Sequence, residues 1–453
     1  MNEDIFLANT IDRKEWYRLQ IGHYIKKIPE MQAPDGGFKI GVESFYRPGK
    51  NARLQEGILP LAWHMSRFGT ENYRENIISG IKYLLDMQLD NGAYPEIEGE
   101  SFAATTFITY AIGKTLEYAH TFLPENIKKE IALSMRKSIA YLTRHTDVPY
   151  TNQLASALLA LKQAKKTFPI QDQELDARLA KILDKRDTSG LFEEGEGLDL
   201  GYSTLTYSLL SAFDPSQNFY KGFIKTLEDF IFPDGTHILP MSRTCGFIIL
   251  NALEAASRFH ENAGKLAAAH IRAHETGLCD ATHLISKRHI LTTLYRLCEA
   301  YDNCDPGRQI QEMPNKASGK INSLYLKTCR KEKTTGLFYF GKSFLGYSFY
   351  LGPKRILFGR LKNAVLKEKK DIFTVTKREG RFCLPLRVFI MGDFSLTIRN
   401  FSREPIFSIG RIIPGARPDG ILWQSNQNIF YKNDFFSNQL PMFKKCSYNF
   451  RKD

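Results

Sequence analysis

From Asp12 to Asp302 apolar residues return every three or four positions in one segment after another, the period of an α-helix with one buried stripe. The segments span 12–29, 53–69, 71–88, 103–120, 124–144, 151–166, 173–185, 202–212, 218–231, 244–260, 262–275 and 286–302. In the sixth, Leu154, Ala157, Leu158 and Leu161 form one stripe. About twelve helices joined by short loops predict roughly six helical hairpins.

A repeated turn says how such hairpins are arranged. MQAPDGGF (31–38), MQLDNGAY (87–94) and IFPDGTHI (231–238) share an apolar helix end, Asp or Asn, Gly, a small residue and a bulky one, and DTSGLF (187–192) is a fainter echo. Gly takes the left-handed conformation that ends a helix, Asp or Asn ties the turn, and the bulky residue plugs between neighbours. Hairpins repeated in this way bury their faces only against each other, and a ring removes the exposed ends. The turns are expected on one rim, with the helix starts near residues 150, 202 and 243 opposite.

The character changes after residue 304. Pro306, Gly307, Pro314 and Gly319 read as a linker over 305–319. Beyond it, runs such as SLYLKTC, GLFYFGKSF, DIFTVTK and RFCLPLRVFIMG are β-rich, and Gly, Pro, Asn and Asp punctuate them. The expected architecture is multidomain, α then β. An incomplete α/α toroid of helical hairpins occupies 1–304, and a basic antiparallel β-sandwich occupies 320–453, its last dozen residues a frayed tail. Charge divides at the same place: the net +13 is the sum of +17 from residue 320 onward and −4 before it, and all ten histidines lie between His23 and His289.

The basic half is compatible with nucleic acid, anionic lipid or an acidic polymer. Its densest patch, LKNAVLKEKKD (361–371), also fits a solvated hairpin tip, and no nucleic-acid motif accompanies it. The seven cysteines include no CxxC pair, so reduced, mostly buried thiols are expected rather than a bridge between Cys298 and Cys304. His270 and His274 have a metal-compatible spacing but no third ligand; no metal or other cofactor is expected. Neither a signal peptide nor a membrane-span-length apolar run stands in the sequence, which reads as a cytoplasmic protein of unknown oligomeric state.

Three stretches carry a family resemblance. DVPYTNQLASALLALKQA (147–164), EGEGLDLGYSTLTYSLLSAF (194–213) and FPDGTHILPMSRTCGFIILNALE (232–254) resemble the inner-helix starts of the heparinase II/III-like and alginate-lyase-like polysaccharide lyases, which join an α/α toroid to a β-sandwich. The resemblance implies an anionic, uronate-containing polysaccharide or oligosaccharide as partner, cleaved by β-elimination in glycan biosynthesis or turnover. With that substrate, Asn152 and Arg243 would meet the carboxylate and Tyr202 would transfer the proton, with His64 or His237 the alternative base because imidazole titrates near neutral pH. The sequence departs from the family where Gln153 follows Asn152, a place that holds His in several of these lyases, and the basic half has no His at all.

Tyr150, Tyr207, Arg53, Glu56 and His237 complete the candidate set as substrate-binding residues. Each has a plainer reading: Asn152 as a helix cap, Tyr202 and Tyr207 as packed aromatics, Arg243 as an ion-pair partner of Asp234 or Glu254, His64 as a partly buried histidine and His237 as a loop residue. Two other functions use the same ring. One is an α/α-toroid glycoside hydrolase drawing a carboxylate pair from Glu193, Glu194, Glu196 and Asp199 with Glu56, Glu96, Glu98 or Glu100, although EEGEGLD also reads as a solvated connection. The other is a non-catalytic glycan-binding or assembly protein. An isoprenoid-cyclase ring lacks its Asp-rich signature here.

Overall fold

The computed structural model describes residues 12–40, 51–96, 99–194, 197–198, 200–229, 246–275 and 287–305, and beyond residue 319 the strands named below. The helices are α1 (Arg13–Ile25), α2 (Ile58–Phe68), α3 (Arg74–Met87), α4 (Phe102–Ala119), α5 (Glu125–Arg144), α6 (Thr151–Lys165), α7 (Asp172–Leu183), α8 (Leu200–Phe213), α9 (Phe223–Asp229), α10 (Gly246–Ala256), α11 (Glu261–Glu275) and α12 (Lys287–Asn303). The predicted segments match them closely; 124–144, for example, corresponds to Glu125–Arg144.

The even-numbered helices form the inner wall. Each packs on the next, and α12 returns to α2 and to the 3-10 turn Ala52–Gly57 ahead of it. Trp63 Nε1 on α2 donates to Asp302 Oδ2 on α12 at 2.8 Å. The circuit is therefore closed, where the sequence suggested an incomplete toroid. Helix α1 packs on α12 and completes the last hairpin. Arg13 Nε donates to Glu254 Oε1 at 2.9 Å, and Tyr17 Oη donates to the same oxygen at 2.7 Å, all within the buried interior.

Inner and outer helices differ as their positions demand. Along α8 nearly every residue from Leu200 to Leu210 is buried, so its hydroxyl groups cannot reach water. They turn back on their own helix instead: Thr204 Oγ1 donates to the Leu200 carbonyl and Thr109 Oγ1 on α4 to the Thr105 carbonyl, both at 2.7 Å. The outer helix α5 alternates buried Ile127, Ile131, Met135 and Leu142 with exposed lysines, the pattern of a one-sided helix.

The repeated turns are one motif in three copies. Gly36, Gly92 and Gly190 have φ of +88°, +91° and +81°. The preceding acidic or amide side chain ties each turn: Asp35 Oδ1 accepts from Gly37 N, Asn91 Oδ1 from Ala93 N and Asp187 Oδ1 from Ser189 N, at 3.0–3.1 Å. The plugs Phe38, Tyr94 and Phe192 are at most 1 % exposed. Their amides donate to side chains leading into the next inner helix, Gln55 Oε1, Thr105 Oγ1 and Ser203 Oγ, each at 2.9 Å. Gln32 and Gln88 repeat as well, each donating to the turn carbonyl and to the neighbouring outer helix. The turns follow outer helices and lead into inner ones, so they share a rim with the inner-helix starts rather than facing them across the ring. The copy at 231–238 lies outside the described residues.

Beyond residue 319 the strands form two antiparallel sheets. Five consecutive strands, Gly319–Ile321, Leu324–Lys331, Thr334–Phe340, Phe344–Leu351 and Lys354–Lys362, make a meander extended by Ile406–Ile412, Phe435–Leu440 and Phe430–Lys432. The second sheet runs Ala364–Lys369, Ile372–Glu379, Phe382–Met391, Ser395–Arg399, Lys445–Lys452, Ile421–Gln424. The C-terminal residues are thus no frayed tail: Lys445–Lys452 pairs on both sides. The basic patch 361–371 spans two strands, one in each sheet. Among the described residues no helix is long and apolar enough to cross a membrane.

Candidate functional site

Six inner helices start at the rim that holds the turns, and an N-terminus carries partial positive charge and unpaired N–H groups. The residues placed there by α2, α4 and α12 form a charged cluster. Asn51 Oδ1 accepts from Arg53 N at 3.0 Å and fixes the approach to α2. The Arg53 guanidinium lies 3.8 Å from the centre of the Phe107 ring, a cation–π contact, and its Nε donates to Glu56 Oε1. Across the seam, Arg288 Nη2 approaches Glu96 Oε1 at 3.7 Å, while Ser101 Oγ donates to Glu96 Oε2 at 3.1 Å. Burial raises the Glu56 carboxyl above the usual carboxylate range; Arg53 and the more distant Arg296 oppose this, and Glu96 adds to it. Arg53 and Arg288 keep 15 % and 27 % of their side chains exposed.

Deeper in the ring lies a polar web. The Glu299 carboxylate accepts from Arg296 Nη1 at 2.6 Å, Asn251 Nδ2 at 2.8 Å and Tyr110 Oη at 3.2 Å. Asn251 also donates to Ser208 Oγ at 2.6 Å and accepts from Asn303 Nδ2 at 3.1 Å, so α4, α8, α10 and α12 all contribute. Burial and then the Glu299 charge push the Tyr110 hydroxyl well above its ordinary pKa. With three donors on one carboxylate, the web compensates the cost of burying charge. The sequence reading passed over it.

The candidate residues from the sequence separate into groups. Arg53 and Glu56 stand together at the rim. Asn152 lies in the first turn of α6, 5 % exposed, and the Glu194 carboxylate engages it twice: the Asn152 backbone N–H donates to Oε1 at 3.0 Å and Nδ2 donates to Oε2 at 2.7 Å. Glu194 is 0 % exposed, so this part of EEGEGLD is a buried helix cap and not a solvated connection. Tyr150 is the N-terminal flanking residue of α6, and Tyr202 sits half-buried in the first turn of α8.

Two candidates lie away from the rim's open surface. Tyr207 is 0 % exposed; its hydroxyl donates to the Gly190 carbonyl at 2.6 Å and its ring stacks on Tyr220 and Phe223. It joins α8 to α9 and is closed to a substrate. His64 belongs to the last turns of α2, far along the helix from its rim end, with its ring 4.9 Å from Phe68 and 5.7 Å from Tyr73, and burial lowers its pKa. Arg243 and His237 lie outside the described residues. Cys298 and Cys304 are free and buried. No cluster of three metal-ligating side chains occurs among the described residues.

No model of a known protein family matches the sequence, and no curated protein does. Similar solved structures include the chondroitin AC lyase of Streptomyces coelicolor A3, 9 % identical over 98 % of this chain and 80 % of that one, with a TM-score of 0.44. A Paenibacillus xanthan lyase is 10 % identical over 98 % of this chain and 58 % of its own, also at 0.44. An α-amylase from Clostridium perfringens is 13 % identical over 61 % and 96 % respectively, at 0.41.

Proposed function

We propose that the protein is carbohydrate-active and binds an anionic glycan at the inner-helix rim, where it cleaves the chain by β-elimination beside a uronate. The observation that carries this is the rim cluster: two arginines with partly exposed side chains, Arg53 and Arg288, each beside a carboxylate where helix N-termini converge. Arginine suits a planar carboxylate because it donates two parallel hydrogen bonds. Neutralising the uronate carboxylate acidifies its C5 proton, since proton removal places charge on that group. The C5–H bond then breaks, a C4=C5 double bond forms, and the C4–O bond to the departing sugar breaks with a proton returned to the leaving oxygen. In this reading Asn152 and Arg243 assist neutralisation, Tyr202 moves the proton, and Tyr150 and His237 contact the sugar. Tyr202, ordinarily a weak acid with a pKa of about 10, needs a nearby guanidinium to act as a base. Residues 320–453 form a second domain, a sandwich of the two sheets joined through 305–319.

The test is incubation with uronate polymers while following the ultraviolet absorbance of the unsaturated product. Wild type should produce it, and Tyr202→Phe should lower the rate at least about a hundredfold with glycan affinity kept. Absence of the absorbance with every polyuronate tried rules out elimination. A second reading, hydrolysis, is favoured by Glu56, whose raised carboxyl beside Glu96 is suited to donating a proton. Reducing ends released without the absorbance, and lost in Glu56→Gln, would establish that reading instead.

A further inference from the structure

The register of the six-stranded sheet sorts its residues by charge. Side chains on a strand alternate between faces, and directly paired residues share a face. Following the pairs outward from Lys367 gives Thr374, then Arg387, then Arg399, then Lys445. Four cations and a threonine thus occupy one row across five strands. Lys369, Arg378 and Arg451 fall on the same face by the same alternation. That makes seven cations and no carboxylate in the strand positions of this face. The other face holds Lys377 and Lys452 against Glu368 and Glu379, among Leu366, Val375, Leu386, Val388 and Ile398. One face is therefore electrically balanced and the other uniformly basic, its cations interspersed with Val365, Ile372, Phe389 and Met391.

Arg399 is directly cross-strand from both Arg387 and Lys445. Like charges in that position repel and destabilise a sheet, so the row costs stability unless an anion bridges it. Neighbouring strands are about 4.8 Å apart, so the three cations cover two strand steps, about 10 Å, and Lys367 extends the row to four. A single small anion cannot span that; a chain with charges repeated along its length can. We propose that this face is a binding surface for an anionic polysaccharide, separate from the ring's rim, that holds the polymer by charge while the ring acts on it. The proposal shares its ligand class with the reading of the rim but requires no cleavage.

The test uses the full-length protein, a polyuronate as probe, and duplex DNA as comparator, with affinity measured calorimetrically at low salt. The variant Arg387→Gln/Arg399→Gln/Lys445→Gln should bind polyuronate on the order of a hundredfold more weakly, about fivefold per cation. Lys377→Gln/Lys452→Gln, on the opposite face, should leave affinity unchanged, and Arg399→Lys should keep it. Without polymer, the single Arg399→Gln variant should melt no lower than wild type, because it relieves repulsion. Equal losses in the two multiple variants, or none, would overturn the proposal, as would duplex DNA bound more tightly than polyuronate through the same residues. Cleavage of short oligouronates separates this from the rim: the triple variant should retain it. Binding without any cleavage refutes only the elimination reading, and cleavage with binding insensitive to the triple change refutes only this one.

Discussion

Replacing Gly92 by Ala tests whether the repeated turn is what seats one hairpin against the next. At φ +91° an L-residue costs about 1–2 kcal/mol. The added Cβ would also lie 2.2 Å from the Lys137 carbonyl oxygen and 2.5 Å from its carbon. Both obstacles are backbone of α5, so relief requires the helix to move, and forced repacking of this kind costs about 1–3 kcal/mol. The expected total is about 3 kcal/mol. Gly69→Ala supplies the control: φ is +65° and no heavy atom lies within 4 Å of the new Cβ, so only the left-handed cost, about 1 kcal/mol, remains. Urea unfolding followed by far-ultraviolet circular dichroism should show a midpoint lowered roughly three times as far for Gly92→Ala, with the slope unchanged. Gly36→Ala should behave like Gly92→Ala, because its Cβ would meet the Ser79 carbonyl oxygen at 2.5 Å. Equal losses at Gly92 and Gly69 would mean that the turn does not seat on α5, and the account of the repeat would fall.

Two further outcomes follow from ion pairs. Burial alone would raise the Glu117 carboxyl, but Lys166, Gln163 and Lys114 outweigh it and hold it at about 2. A carboxylate lowered on folding stabilises above its unfolded value near 4.5, and that contribution fades as the pH falls toward 2. The full shift would be worth about 3 kcal/mol; with Glu117 40 % exposed, screening leaves about 1 kcal/mol. Glu117→Gln should therefore lose that amount at pH 7 and nothing near pH 2, and a pH-independent loss would contradict the assignment. Arg13→Met strands the fully buried Glu254 carboxylate and should cost about 3–5 kcal/mol. Adding Glu254→Leu should recover most of it in chemical denaturation; no recovery would place the cost in packing rather than charge.

The ring was largely legible because its grammar is local. Period and caps set α5 and α6 within a residue or so, and even the faint echo DTSGLF folds with the geometry of the stronger turn copies. What escaped was non-local. Arg288, Thr292, Arg296, Glu299 and Asn303 recur on α12 at intervals of three and four, a polar stripe that reads as a solvated face on any outer helix. On an inner helix the same stripe meets the other inner helices, and it becomes the buried web around Glu299. The signal was the pairing of that stripe with an α8 that carries no charged residue of its own. Glu194 escaped for a similar reason: its partner Asn152 is 42 residues away, and nothing in EEGEGLD marks one carboxylate as buried. Tyr207 looked available beside Tyr202, yet its hydroxyl partner, Gly190, belongs to a turn 17 residues earlier.

Among the described residues, α1 is the outer partner of α12. Arg13 finds Glu254 across 241 residues, so this ion pair of α1 waits for nearly the whole ring. Loop closure of this span is slow, and local hairpins form first. The seam between α12 and α1 is therefore the final joint of assembly. Transplanting α1 to follow α12, ahead of the β strands, would turn that joint into an ordinary hairpin and speed closure.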